Sequence, residues 1–282
     1  MNVLVLGGRG FLGQSLVEYF NAAGVYPCMI IRGDRTDLGR WVHVKGCRKH
    51  GKQLESCSPK VVVNVAASWK TADTSVLKRD NFDFPLLVLQ HLGGSPARWI
   101  QTNSFFNYAF DLEGLDLDPY AYWRRQASEI IQELSVDRGF EFSEIRLPHL
   151  TGGASDEGRM IPSLVRALVE NRNFDINRPK VFLPLVHVSD AARQIALLAL
   201  APHSLLRREL AWVSDQMTVG EAAIRIAKIL AVTPSLIHFR NDSSPQFPSK
   251  ILEFPETSSL DEPERRLMSF EEIIQDIRKG RT

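Results

Sequence analysis

The residues Gly7-Gly8-Arg9-Gly10-Phe11-Leu12-Gly13 directly follow an apolar run and open a helical pattern. As a G-x-x-G-x-x-G run, they supply a tight turn, a stretch of backbone that a pyrophosphate can approach closely, and a small residue where helix packs on strand. The helix N-terminus then faces the anion with its free N–H groups. About twenty residues on, where a fold preferring NAD places Asp or Glu against the ribose 2′-hydroxyl, the second β-rich run ends in Ile30-Ile31-Arg32. A guanidinium there favours a 2′-phosphate, and Arg9 and Arg35 complete a cluster of planar forks suited to phosphate oxygens. The expected cofactor is NADP(H) in preference to NAD(H), with Asp34 as the nearest rival carboxylate.

Other chemistry is weakly represented. The histidines are scattered without H-E-x-x-H or other ligand spacing, so no metal is expected. Cys28, Cys47 and Cys57 are odd in number and lack C-x-x-C spacing, which suggests neither a disulfide framework nor a zinc knuckle and fits a reducing cytoplasm. With 34 Lys+Arg against 33 Asp+Glu the charge is nearly balanced, which argues against an overall grip on nucleic acid or anionic membrane. The basic stretch Lys45, Arg48, Lys49 and Lys52 is flanked by Asp34, Asp37 and Glu55 and reads as a solvated face. The N-terminus has no cationic leader, so the mature protein is expected to begin at Met1, and no run approaches the roughly 18 apolar residues of a membrane span.

The elements that must position these residues alternate. Short β-rich runs at 2–6, 26–31, 61–65, 99–102 and 142–147 are separated by helical patterns at 11–23, 75–92 and 120–137, which reads as βαβ units around a parallel sheet. The expected fold is α/β: a Rossmann-type doubly wound parallel sheet with a small mixed α/β substrate-binding lobe. Residues 1–150 form the NADP-binding domain, rejoined by about 181–215, and 151–180 with 216–282 form the lobe. Beyond Gly152-Gly153 the pattern loosens to a helix at 160–170 and a Pro-broken segment to Pro184. Then come a helix at 186–200 after a strand, a strand at 210–213, a capped helix at 218–231, a loop rich in Pro, Ser and acid at 240–263 and a last helix at 269–277 opened by Ser269-Phe270-Glu271-Glu272. Trp69, Trp99, Trp123 and Trp212 each lie within an apolar element and are expected in the core or a subunit interface.

Several further segments resemble the extended short-chain dehydrogenase/reductase family, the NAD(P)-dependent epimerase/dehydratases of nucleotide sugars. Val62-Val63-Asn64-Val65-Ala66-Ala67 looks like its fourth strand and following turn, Asn81 sits like the Asn of its next helix, and Val186-His187-Val188-Ser189-Asp190-Ala191-Ala192 looks like its V-x-D-x-A element. Thr102-Asn103-Ser104-Phe105-Phe106, Tyr120 to Gln126 and Arg146-Leu147-Pro148-His149 look most like CDP-paratose and CDP-abequose synthases, which reduce a 4-keto sugar.

The resemblance implies a catalytic Tyr followed four residues later by Lys, both projecting from one helical face toward the nicotinamide. Tyr120 holds the first position and Arg124 the second, so the charge is kept while the compact ammonium that would hold the nicotinamide ribose is replaced by a larger planar fork. A one-residue slip would instead put Arg125 and Glu129 in register with the family's Lys and a later Glu. Ser104 matches the family's Ser/Thr that hydrogen-bonds the reacting oxygen, and Ala66, Ala67 and Pro148 fall where members line the cofactor. His149 reads as structural, and the usual adenine-contacting Asp is replaced in Val44-Lys45-Gly46-Cys47.

Dehydratases of the family carry Thr-Asp-Glu where this chain has Thr102-Asn103-Ser104, which disfavours 4,6-dehydration. The implied activity is NADPH-dependent reduction of the 4-keto group of a nucleotide-diphosphate 4-keto-6-deoxyhexose, with Arg159, Arg166 and Arg178 as the cations available for the diphosphate, the choice among them left open by the sequence. The rivals are an NAD-retaining 4-epimerase and a binding or regulatory protein whose chemistry was lost with the Lys. The family pairing of the 75–92 and 120–137 helices implies a homodimer.

Overall fold

The computed structural model describes residues 2–31, 43–45, 58–69, 71–105, 119–153, 158–201, 208–210, 212–240 and 266–280, with the backbone alone at 31, 43–45 and 208–210. Arg32, Arg35, Cys47, Cys57 and nearly all of the 240–263 loop lie outside them. The chain divides into two compact units, Met1–Leu147 with Ala192–Leu210, and Pro148–Ala191 with Ala211–Thr282.

In chain order the first unit contains β1 (Val3–Leu6), α1 (Phe11–Ala22), β2 (Cys28–Ile31), β3 (His43–Lys45), β4 (Val61–Asn64), α2 (Thr74–Lys78), a π-helical turn (Arg79–Asp83), α3 (Phe84–His91), β5 (Arg98–Ser104), α4 (Pro119–Arg138) and β6 (Glu141–Leu147). The second begins with β7 (His149–Thr151), α5 (Met160–Val169), β8 (Phe174–Ile176) and β9 (Phe182–His187). After α6 (Val188–Leu200) and β10 (Arg208–Leu210) come β11 (Asp215–Thr218), α7 (Val219–Ile229), β12 (Ile237–Phe239) and α8 (Phe270–Lys279).

The first unit is a seven-stranded sheet in the order β10-β6-β5-β4-β1-β2-β3. Every neighbouring pair is parallel except β2 with β3, an antiparallel edge. This is the Rossmann-type α/β arrangement. Both faces of β1 and β4 are buried, which is why they read as unbroken runs of Val and Leu without alternation. On one face Leu4, Leu6, Val62 and Trp99 pack with Val88 and Leu89 of α3 and Ile131 of α4. Arg98, 7% exposed, donates to the carbonyls of Leu198 at 2.7 Å and Ala201 at 3.0 Å and so closes the end of α6.

The single helix expected over 75–92 is interrupted. Asp73 caps α2 by accepting from the Ser75 and Val76 backbone N–H groups, and five residues, Arg79–Asp83, then widen into a π turn before α3. Pro85 in the first turn of α3 has no N–H to return to Asn81, and its ring crowds that carbonyl, so the ladder opens there. The strand expected at 210–213 is displaced to Arg208–Leu210.

The second unit holds a three-stranded sheet, β11-β9-β7, and a two-stranded one, β12-β8, packed with α5, α7 and α8 around Leu164, Leu168, Ile226 and Ile274. Thr218 and Ser269 each form a capping box, with Glu221 and Glu272. The segment expected to be broken by proline instead forms β9 through Pro184. The ladder to β7 begins only at Leu185, so one side of β9 is still open at Pro184 and a missing N–H is tolerated there. Trp99 and Trp212 are buried, whereas Trp69 is 43% exposed.

Candidate functional site

The glycine run leaves β1 at Gly7, whose φ of +84° is open to glycine and strained for other residues. Gly10 donates its N–H to the Gly7 carbonyl at 2.8 Å and precedes α1 with no side-chain cap, so α1 opens without a capping side chain on its N–H groups. A Cβ on Gly13 would lie 2.0 Å from the Gly7 oxygen, and one on Gly7 would lie 2.6 Å from Ala66 Cα. The loop is therefore a bare cradle folded on itself and against the residues after β4, which suits the close approach of a diphosphate. Arg9 and Gly10 are exposed, Phe11 is half-buried, and Leu12 is buried, so Leu12 has only its backbone to offer.

Behind Ala66 a polar network fixes the strand ends. The Asn64 side chain accepts the Ala66 N–H at 3.1 Å and donates to Gln101 Oε1 at 3.0 Å, and the Thr102 hydroxyl donates to the Asn64 carbonyl at 2.9 Å. Asn81, in the π turn, donates to the Ser68 carbonyl at 2.8 Å and accepts the Ser68 N–H at 3.1 Å, pinning the chain just past the exposed Ala67.

The helix α4 carries the two candidate arginines on different faces. Arg124 is 2% exposed and shares a buried face with Ala121, Ala127, Ser128 and Ile131, whereas Arg125 pairs with Glu129 at 2.8 Å on a partly exposed face. The Arg124 guanidinium donates to the Ala66 carbonyl at 2.6 Å, to the Thr102 carbonyl and to the Thr102 hydroxyl at 3.0 Å. It thus ties the ends of β4 and β5 to α4. Its Nε is buried without a hydrogen-bond partner among the described residues. The guanidinium carbon lies 5.7 Å from the centre of the half-buried Tyr120 ring, one turn earlier. Ser104, two residues beyond Thr102, ends β5. A buried guanidinium nitrogen without an acceptor among the described residues and a cradle with no room for a Cβ at Gly7 or Gly13 both fit a bound dinucleotide.

A carboxylate that no sequence motif marks lies beside this site. Glu144 of β6 is 2% exposed; it accepts from the Ser128 hydroxyl, from Asn103 Nδ2 at 3.2 Å and from Arg146 Nε at 2.7 Å. Burial opposes its ionisation, yet the Ser128 hydroxyl, the Arg146 guanidinium and the Asn103 amide outweigh burial and hold the carboxyl below its ordinary range. A Glu in the middle of a strand that also carries Phe142, Ile145 and Leu147 was the available signal.

In the second unit Pro148 is buried and His149 half-buried. Burial, and then the Arg159 guanidinium, lower the His149 imidazole to about 4. Arg159 donates to the Leu150 carbonyl at 3.0 Å, while Arg166 and Arg178 are exposed. His187 Nε2 lies 3.1 Å from Asp276 Oδ2, which also accepts the Gly153 N–H at 2.8 Å. Among the described residues no group of three acidic, His or Cys side chains could hold a metal ion, and no helix is long and apolar enough to cross a membrane.

Several solved structures share the fold at low identity. UDP-glucose 4-epimerase from Thermotoga maritima, with UDP-glucose, superposes with a TM-score of 0.76 at 14% identity over 100% of both chains. RMD from Pseudomonas aeruginosa, complexed with NADPH, gives 0.73 at 17% over 99% of this chain and 98% of that one. Pal from Bacillus thuringiensis gives 0.78 at 13% over 99% and 98%. The family profile described as NAD dependent epimerase/dehydratase matches residues 3–210, a span that runs from β1 to the end of β10 and so takes in the glycine cradle, Ala66, Ser104, Tyr120 and Arg124. The chain belongs to the NAD dependent epimerase/dehydratase family.

Proposed function

We propose that the protein uses NADPH to reduce the 4-keto group of a nucleotide-diphosphate 4-keto-6-deoxyhexose. The observation that carries this reading is the double use of Ala66: its backbone abuts Gly7 of the cradle and its carbonyl receives Arg124, so the Tyr120–Arg124 pair stands beside the cofactor loop. The reductive direction is favoured over dehydration because Thr102-Asn103-Ser104 offers no carboxylate to take a proton from the sugar.

When bound, the dihydronicotinamide supplies a hydride to the ketone carbon. Tyr120 donates its phenolic proton to the ketone oxygen, and the Ser104 hydroxyl donates a hydrogen bond that orients that oxygen. The Arg124 cation, locked by the Ala66 and Thr102 acceptors, sets a fixed positive charge 5.7 Å from the centre of the Tyr120 ring, at the position where the family's Lys holds the nicotinamide ribose. Gly7, Gly10 and Gly13 admit the diphosphate to the start of α1, with the backbone of Phe11 and Leu12 in its first turn and Ala67 and Pro148 along the nicotinamide side. Arg9, Arg32 and Arg35 take the 2′-phosphate. Arg159, Arg166 and Arg178 are the cations for the substrate diphosphate. The exposed Tyr122 and Val136 on α4, 42% and 80% exposed, give that helix an apolar surface for a second copy, and a cytoplasmic homodimer completes the proposal.

Incubation with CDP-, dTDP-, GDP- and UDP-linked 4-keto-6-deoxyhexoses tests it. Consumption of added NADPH with formation of the C4 alcohol is expected on at least one. Purification with retained NAD, together with interconversion of C4 epimers and no NADPH consumption, would contradict it.

A further inference from the structure

Glu144 is wired to the candidate catalytic residues through two neighbours. Asn103, 4% exposed, donates from Nδ2 to Glu144 Oε2 at 3.2 Å, while its Oδ1 accepts the backbone N–H of Ser104 at 3.1 Å. The carboxylate can only accept and the backbone N–H can only donate, so these two bonds allow one orientation of the Asn103 amide. On the other side Ser128, 1% exposed and one turn beyond Arg124 on α4, donates to the same Oε2. Arg146 fills Oε1 at 2.7 Å. A buried ionic cluster contributes little stability over an apolar replacement of equal volume, so stability alone does not account for its presence.

We propose that Glu144 is a positioning residue for Ser104: through Asn103 it orients the end of β5 that presents the Ser104 hydroxyl, and through Ser128 it holds that end in register with the α4 turn carrying Arg124. The proposal rests on the reductase reading for the role of Ser104, but the geometry it asserts can be measured without turnover.

Glu144→Gln keeps the shape of the side chain and reverses the polarity of one oxygen. If the Gln carbonyl keeps Arg146, its NH2 meets the Asn103 NH2, and Asn103 must turn its own NH2 toward the Ser104 N–H. Adding Asn103→Asp restores the pattern, because the Gln NH2 then donates to a carboxylate whose second oxygen accepts the Ser104 N–H, and the net charge of the pair is unchanged.

The expected results are a kcat lowered about 10-fold in Glu144→Gln, with KM for NADPH and sugar within about twofold, and recovery to within about threefold in the double variant. In 15N–1H spectra of the NADPH-bound protein the Ser104 amide resonance should shift and exchange faster in the single variant and return in the double. Wild-type kcat with an unmoved Ser104 amide in Glu144→Gln, or a double variant no better than the single, would overturn the proposal. Absence of wild-type turnover on every nucleotide sugar would sink the reductase reading instead, leaving the amide resonance to decide this one. Should Glu144→Gln not fold, Asn103→Ala releases the Ser104 N–H while Glu144 keeps Ser128 and Arg146, and the same amide shift and kcat loss are required.

Discussion

The Arg124 guanidinium and the Ala66 carbonyl are 2.6 Å apart, and the same Ala66 backbone would collide with any Cβ on Gly7. Ala66, two residues past β4, therefore joins the glycine cradle to the buried face of α4. Arg124 is first a strut between strand ends and then a cation, because its fork reaches two carbonyls that a compact ammonium could not span together.

Removing the fork leaves the Ala66 and Thr102 carbonyls without their charged donor. Arg124→Ala is expected to cost about 2–3 kcal/mol and to lower Tm by roughly 5 °C, read by scanning calorimetry. Arg124→Lys should lose less, since one carbonyl can still be reached. An unchanged Tm in Arg124→Ala would remove the strut.

The cradle is closed to a methyl group at Gly13, where the obstructing atom is the backbone oxygen of Gly7. Gly13→Ala must open the turn, and NADPH dissociation constants from fluorescence titration should rise by about 10-fold or more.

The proposed preference for NADPH rests on Arg32. Arg32→Asp should weaken NADPH by roughly 10- to 100-fold while leaving NADH within a few-fold. Equal losses for both would remove the phosphate assignment.

His149 gives a pH dependence of stability with a definite sign. Its imidazole titrates at about 4 in the folded protein against 6.5 in the unfolded chain, so between those values the unfolded state binds more protons and stability falls as pH drops. The loss, up to about 3 kcal/mol, is complete by about pH 4. Carboxylates held low, such as Glu144 and Glu272, add their losses only below about 4.5, so the earlier part of the decline belongs to His149. Urea midpoints from pH 7.5 to 4.5 should decline in the wild type and flatten in His149→Gln.

Much of this was legible in the sequence where local pattern and burial agree. The runs Val3–Leu6 and Val61–Asn64 are strands buried on both faces, and the boxes at Thr218 and Ser269 mark helix starts that the chain obeys. The three-residue strands β7, β8 and β12 carry too few residues for a period to show, and β9 was hidden by Pro184, which only the late start of the β7 ladder makes acceptable. At the site, the glycine run and the Tyr120–Arg124 spacing were visible. The Ala66 and Thr102 acceptors and the Glu144 hub were not, because each depends on which strand lies beside which, a property of the sheet order.

In the proposed reaction a sugar ketone takes its hydride from NADPH and its proton from Tyr120. NADPH carrying deuterium at either C4 position, supplied with a 4-keto nucleotide sugar, tests it by the mass and NMR spectrum of the product. One deuterium at sugar C4 is predicted from one of the two labelled cofactors, with the rate falling about 10²- to 10⁴-fold in Tyr120→Phe while NADPH still binds. Product without deuterium, or Tyr120→Phe turning over like the wild type, would contradict it.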